Sequence, residues 1–499
     1  MLKSKLLRSL KRFIKDNWIL VLILGIGIFL RLYKGKEMFA YNHDQDLAGW
    51  IIKDVVVNHH FRLIGQLTST PGIFIGPYFY YLLIPFYLLF KMDPFGGFYL
   101  VVLIGMFTVW SFYFVLSKIF NKNTGLIGAF IYSVSIYTVM NDRWMVPTMP
   151  VFLWSVWMFY TLHLLLNGKQ KGYILAGILI GLIWELNFAL ILTTPLLLVA
   201  VYFSRKKIDP KSLMLGVISL AVTSLPLIVF EIRHNFIQIR ALIAALTTKQ
   251  SAVLNFTERC QKVVYSVGLT MKSLILGHDV QLNYRLIILA VLLGFIYLIV
   301  SKTLKKQHAV LIALWTFLYV GFFSVYSKIL SEYYLDGMVV LWIIIIALLF
   351  DKLLISKKRY VILIAVLALF SYFHFRNLFN YNINRSGYVE RKMIVNYINY
   401  DRQLHNYPCI SVSYITSPGY ELGYRYLFWL EGMHVEKPLS GSPVYSIVFP
   451  LSGVDKVDKY FGALGLILPD YTKYNQETVE RSCSGSNSNL TDSMFGYTE

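Results

Sequence analysis

The stretch IFIGPYFYYLLIPFYLLF, residues 73–90, decides how the rest of the chain is read. It is as apolar as a membrane span and close to the roughly 20 residues that a span needs. Yet Pro77 and Pro85 interrupt it, and Pro71 and Gly72 precede it. Proline removes a backbone donor and kinks a helix. Non-helical backbone at membrane depth is tolerated only against protein or water. The stretch therefore reads as a re-entrant or interfacial segment that walls a cavity, not as a crossing.

Working outward, apolar runs occur near 17–32, 97–117, 125–140, 147–167, 172–186, 188–203, 212–230, 284–301, 308–326, 337–351 and 360–375. With 73–90 set aside, these make about eleven spans. Basic loops then fall at every second connection: Lys118/Lys122, Lys169/Lys171, Arg205/Lys206/Lys207/Lys211, Lys302/Lys305/Lys306 and Lys352/Lys357/Lys358/Arg359. They share a side with the basic N-terminal tail (Lys3, Lys5, Arg8, Lys11, Arg12, Lys15), which the positive-inside rule puts in the cytoplasm. The tail resembles the start of a signal peptide, but no small-residue cleavage site follows, so a retained first helix is expected. The fold class expected is thus an all-α polytopic membrane protein over residues 1–375. A small extracytoplasmic α/β domain should follow over 376–481, and a disordered tail rich in Ser, Asn and Gly over 482–499. Short β-rich runs (Cys409–Tyr414, Val444–Phe449, Leu464–Leu468) and helix-like segments near 388–403 and 419–432 mark the α/β part.

Composition agrees. Of 499 residues, 57% are hydrophobic and 16% aromatic, too apolar for a soluble enzyme. The formal net charge of +20 sits mostly in the loops just named, so it indicates orientation in a membrane and no nucleic-acid partner. Cys260, Cys409 and Cys483 are few, distant and odd in number, which indicates neither a disulfide framework nor a zinc cluster.

The same topology gathers the chemistry on the outer face. Tyr41-Asn-His-Asp-Gln-Asp-Leu-Ala-Gly-Trp50 follows the first span and carries Asp44 and Asp46. An outer carboxylate can take a proton from a hydroxyl or hold a divalent cation, with His43 beside it. Residues i and i+2 do not share a helix face, so only one of the pair is expected to act as base, the other as a helix cap. Tyr80 and Tyr81, behind two Pro/Gly breaks, suit either an aromatic belt or a lipid-lined groove whose rings also flank a sugar. Asp142-Arg143-Trp144 lies on a short outer loop, where Arg143 matches a phosphate or pairs with Asp142. Arg233 and His234 end a span containing Pro226 and are placed to clamp a lipid phosphate or to anchor the span. Glu185, between two spans with almost no loop, and Glu332 are candidate polar contacts to the cavity. Span interiors carry almost no charge, which argues against an ion-coupled transporter.

An acidic motif in the first outer loop, Gly76-Pro-x-x-Tyr-Tyr81 behind it and Asp142-Arg143 in the second loop resemble the GT-C glycosyltransferases. The similarity is greatest to the dolichyl-phosphate-mannose–protein mannosyltransferase and lipid A aminoarabinose transferase group, and especially to bacterial members with Asp-Gln and Gly-Pro-x-x-Tyr-Tyr signatures. It covers roughly residues 15–375. The resemblance implies an enzyme of the bacterial inner membrane that moves a sugar from a polyprenyl-phosphate donor in the membrane lipid to an acceptor on a protein, lipid or glycan, usually with inversion. It places the base at Asp44 and a second acid at Asp142. The family commonly has Asp-Glu at the first site, whereas here Gln45 follows Asp44. Some relatives use a divalent metal ion and others do not. Arg143 and Arg233, with His234, are donor-phosphate candidates from charge and topology, and Asp46 and Asp142 would orient the acceptor or bind a cation. Two rivals remain from sequence: an O-antigen ligase or polymerase using a diphosphate-linked donor, with Arg233, His234 and Arg240 in the 231–283 loop, and a non-enzymatic lipid-linked-sugar flippase.

Overall fold

The computed structural model describes residues 15–68, 70–247, 255–326, 330–355, 357–454 and 456–484. The tail lysines and arginines before residue 15, and the C-terminal tail from residue 485 on, lie outside the described residues. The chain forms two compact units that alternate along the sequence. The first gathers Met1–Tyr33, Val101–Asp142 and Pro147–Tyr381; the second gathers Lys34–Leu100, Arg143–Val146 and Asn382–Glu499. A change of character near 376 was legible in composition. That residues 34–100 and 143–146 cluster with the C-terminal part was not.

Among the described residues, four helices are long and apolar enough to cross a membrane: Gly96–Ile119, Lys306–Val325, Glu332–Leu354 and Tyr360–Phe379. Pro210–Thr223 and Leu225–Arg233 make a fifth if taken as one span bent by 62°. Trp18–Leu32, Tyr78–Leu89, Val151–Leu166, Phe188–Ser204 and Tyr284–Val300 are apolar but shorter. The run 125–140 is split at Ser135 into Lys122–Val134 and Ile136–Asn141, and 172–203 breaks near Leu182 and Asn187 into short helical turns. These apolar runs in sequence are therefore not single helices. Residues 73–90 are divided as well. Phe74 bridges back to Leu67, and the helix Tyr78–Leu89 that follows has 12 residues. At 1.5 Å per residue it is about 18 Å long, well short of a ~30 Å hydrocarbon core.

In the first unit, Val339–Asp351 is apolar all round, and every residue from Val339 to Leu348 is buried. Such a helix needs partners on all sides, and it has Lys122–Val134 and Tyr284–Val300 among them. Lys171–Gly181 and Pro210–Thr223 meet where Gly177 faces Gly216. A Cβ on Gly177 would sit 1.9 Å from the Gly216 carbonyl oxygen, so only glycine permits that approach.

In the second unit, a five-stranded sheet has the order β2-β1-β3-β5-β4: β1 Ile410–Thr416, β2 Val435–Glu436, β3 Val444–Phe449, β4 Lys459–Phe461 and β5 Leu464–Ile467. β1 runs parallel to β2 and β3, while β5 pairs antiparallel with β3 and β4. The three β-rich runs read from sequence are β1, β3 and β5. The helix Tyr388–Leu404 matches its expected bounds, whereas 419–432 is helical only over Arg425–Leu430. One expectation is overturned. Cys409 and Cys483 form a disulfide across 74 residues of sequence. Spacing and an odd count hid it, because the pairing depends on how the last helix, Gln476–Ser482, returns to the sheet. Cys483→Ala is expected to lower stability by about 2–4 kcal/mol, read as a drop in Tm that reductant reproduces in the wild type.

Candidate active site

The second unit holds Asp44. Its helix, His43–Val56, starts at Asn42, whose side chain accepts the Asp44 N–H at 3.2 Å, while Gln45 Oε1 accepts the Asn42 N–H at 3.0 Å. This is a capping box. Asn42 takes the cap that was expected of an aspartate. Asp44 and Asp46 fall in the first turn, where carboxylates meet the positive end of the helix dipole.

The two carboxylates then part ways. Asp44 is half-buried, and its Oδ1 accepts from Gln66 Nε2 at 3.3 Å. Burial raises its pKa above the usual carboxylate value, opposed by His43 and by the Gln66 hydrogen bond. Gln66 is itself fixed: its Oε1 accepts from the Tyr80 hydroxyl at 3.1 Å. Asp46 is fully buried, and its Oδ1 accepts from Tyr41 Oη at 3.2 Å and from the backbone N–H of Tyr426 at 3.0 Å. The other tyrosine of the pair, Tyr81, donates its hydroxyl to the Arg62 carbonyl at 2.8 Å, and Arg62 pairs with buried Asp54 at 2.9 Å. Tyr80 and Tyr81, read as sugar contacts, thus hold the 57–77 loop and its Gln66 in place.

Gln45 explains the departure from Asp-Glu. It is fully buried, and its Nε2 donates to the Met145 carbonyl at 3.0 Å. A glutamate has no donor to offer there. Gln45→Glu is expected to set two acceptors against each other in a buried site and cost about 1–3 kcal/mol, visible as a lower Tm. Arg143, two residues before Met145, is 2% exposed; its Nη1 lies 3.7 Å from Met38 Sδ and its guanidinium 6.0 Å from the Phe98 ring. It lies in the same unit as Asp44, but as an enclosed group.

In the first unit, Asp142 is fully buried. Its Oδ2 accepts from Arg31 Nε and Nη2 at 2.8 and 2.6 Å, and its Oδ1 from Tyr132 Oη at 2.7 Å. Arg31 Nη1 also donates to the Ser133 carbonyl at 3.0 Å, serving a backbone group left over by the break at Ser135. Sequence reading weighed Arg143 as the partner of Asp142. The partner is Arg31, 111 residues away. Arg233 is exposed at the end of its helix, and His234 stacks on Phe230 at 4.1 Å. Glu231 accepts the N–H groups of Gln238 and Ile239, both at 3.2 Å, and so caps the helix Ile237–Thr247. Glu185 is buried and Glu332 exposed. Asp336, which sequence reading passed over, is buried and accepts the Tyr137 hydroxyl at 2.5 Å. Among the described residues no group of three or more His, Cys, Asp or Glu is arranged to hold a metal ion. With Asp46 turned to Tyr41 and Tyr426, the set His43, Asp44 and Asp46 does not assemble as one.

The family described as "Dolichyl-phosphate-mannose-protein mannosyltransferase" matches residues 74–230. Among solved structures, ArnT from Cupriavidus metallidurans bound to undecaprenyl phosphate is similar, with TM-score 0.62 at 10% identity over 91% of this chain and 98% of that one. The same ArnT in its apo state gives TM-score 0.61 at 10% identity, over 92% of this chain and 99% of that one. At such low identity the likeness is one of fold. A third similar structure, the Archaeoglobus fulgidus oligosaccharyltransferase tethered to an acceptor peptide, gives TM-score 0.52 at 15% identity over 85% of this chain and 64% of that one. No curated protein sequence matches the chain. The family match in sequence takes in the Gly76-Pro motif and Asp142-Arg143 but begins downstream of Asp44.

Proposed function

We propose that this protein is a GT-C glycosyltransferase that transfers a sugar from a polyprenyl-phosphate donor to an acceptor hydroxyl on the extracytoplasmic face, with Asp44 as general base. The observation that carries the reading is Asp44 itself, a half-buried carboxylate with a raised pKa, set on the first turn of a capped helix and aimed by Gln66. ArnT, bound to undecaprenyl phosphate in its structure, supports a lipid-phosphate donor. The Cys409–Cys483 disulfide supports an oxidising compartment for the unit that carries Asp44.

The acceptor O–H loses its proton to Asp44 as its oxygen bonds to the anomeric carbon. The bond from that carbon to the phosphate oxygen breaks, and the polyprenyl phosphate departs as an anion. Such a leaving group needs no strong acid, and fixed positive charge helps it go. Arg143 lies in the same unit, but a phosphate reaches it only after its side chain turns off Met38 and Phe98. The proposal of Arg233 and His234 as phosphate ligands rests on charge and topology. Asp46, its Oδ1 held by Tyr41 and Tyr426, acts in this reading by holding its helix, and Asp142 by neutralising Arg31.

The direct test offers the purified protein a panel of polyprenyl-phosphate sugars and measures release of free polyprenyl phosphate. A diphosphate-linked oligosaccharide included in the panel is the donor that the ligase or polymerase alternative requires. The pH profile is a second test. Asp44 must be ionised to accept a proton, so the rate rises with pH through its pKa. Because burial raises that pKa, the acid limb is expected above the range of an ordinary aspartate. Gln66 pulls it down, so Gln66→Leu should move the limb to still higher pH while leaving the plateau less affected. A limb that stays put in Gln66→Leu would separate Asp44 from the titration.

A further inference from the structure

The second unit raises a question that its sheet alone does not answer: what the C-terminal residues do for the chemistry. We propose that the turn Leu422–Tyr426, at the start of the helix Arg425–Leu430, is a positioning clamp that sets the direction of Asp44. The proposal rests on Asp44 being the base.

The contacts follow one face of the His43–Val56 helix. At Asn42, the cap, Gly423 comes so close that a Cβ on it would lie 2.9 and 3.0 Å from the Asn42 carbonyl carbon and Cα; its φ of +89° also belongs to glycine. At Asp46, one turn on, the carboxylate accepts the Tyr426 N–H at 3.0 Å. At Gly49 the Tyr426 ring lies flat against the backbone, 2.6–2.7 Å from where a Cβ would stand. At Trp50 the indole meets Tyr426 edge-on at 5.9 Å and Trp429 at 6.1 Å. Positions 42, 46, 49 and 50 are spaced by four, three and one, which is one stripe of a 3.6-residue helix. Asp44 stands two residues from both 42 and 46, about 200° around the axis from each and so on the opposite side.

The turn is held firmly from behind. Arg391 donates from Nη1 to the Leu422 carbonyl and from Nε to the Ser386 carbonyl at 3.1 Å, and its guanidinium lies 4.4 Å from the Tyr424 ring. Tyr426 Oη donates to the Met92 carbonyl at 2.8 Å. One face of the helix is therefore fastened to a braced turn, and rotation about its axis is blocked, while the far face presents Asp44 to Gln66. Proton transfer needs the base within hydrogen-bond reach of the acceptor, so a small rotation of this helix costs rate.

Gly49→Ala tests the clamp without touching Asp44 or Gln66. The new methyl drives the Tyr426 ring away. Backbone amide exchange over residues 43–47 is expected to speed up at least tenfold relative to wild type, with the sheet β1–β5 unchanged. Donor turnover should fall at least tenfold in kcat with KM for the donor unaltered. Gly49→Ala/Tyr426→Ala, which makes room for the methyl and keeps the Tyr426 N–H, should regain part of both. At Asp46, Asn still accepts the N–H and Leu does not, so Asp46→Asn should recover much of the rate that Asp46→Leu loses. Unchanged exchange in Gly49→Ala overturns the clamp whatever the reaction is. Faster exchange with full kcat also overturns it, since the helix would then be loosened without consequence for the base. Equal loss in Asp46→Asn and Asp46→Leu would make Asp46 a chemical group instead. A wild type that turns over no donor sinks the reading of Asp44 as base, and the proposal with it, while the exchange measurement still reports whether the contact holds the helix.

Discussion

Asp44→Asn is expected to bind the lipid-linked donor as the wild type does and to release polyprenyl phosphate about 10²–10⁴-fold more slowly, the usual contribution of a positioned general base. The substitution keeps the shape of the side chain and still offers an oxygen to Gln66 Nε2. It also leaves the capping box of Asn42 and Gln45 intact, because that box uses the Asp44 backbone and not its side chain. The folded population and Tm should thus hold, and the loss should appear in kcat. Single-turnover release from a radiolabelled donor, run beside the wild type, measures it. A variant that retains a tenth or more of the rate would dismiss Asp44 as the base. The same experiment addresses the transporter alternative, in which substrate movement would survive the change.

The second large effect is on stability. Asp142→Ala leaves the Arg31 guanidinium fully buried with its carboxylate gone, and breaking a buried pair from one side costs about 3–5 kcal/mol. Tm should drop steeply. Arg31→Met/Asp142→Leu removes both charges and should recover most of it, since a buried ion pair is often replaceable by apolar groups of similar volume. Recovery will be incomplete, because Arg31 also serves the Ser133 carbonyl. If Asp142→Ala instead unfolds like the wild type but loses transfer, Asp142 belongs to the acceptor, as the sequence first suggested.

Much of the architecture was legible because it is local. The prolines in 73–90 mark a broken segment, and short β-rich runs mark β1, β3 and β5. The site was less legible because its parts are joined by long-range contacts that no periodicity encodes. Asp142 stands next to Arg143 in sequence but pairs with Arg31. Gln66 lies just before the broken 73–90 segment, and its bond to Asp44 depends on a loop folding back between two helices. A signal for Arg31 did exist: a lone arginine at the end of an apolar run is costly without a partner. Asp336, at the edge of another run, carried the same signal. Gln45 looked like a lost acid, and only the Met145 carbonyl reveals why an amide stands there.

The bond from Asp46 to Tyr426 spans 380 residues. Contacts so distant form late, because a very large loop must close before they return any free energy. A ribosome making this chain releases the aspartate helix 380 residues before its fastening. The nascent chain would therefore carry that helix unfastened while the intervening residues are made.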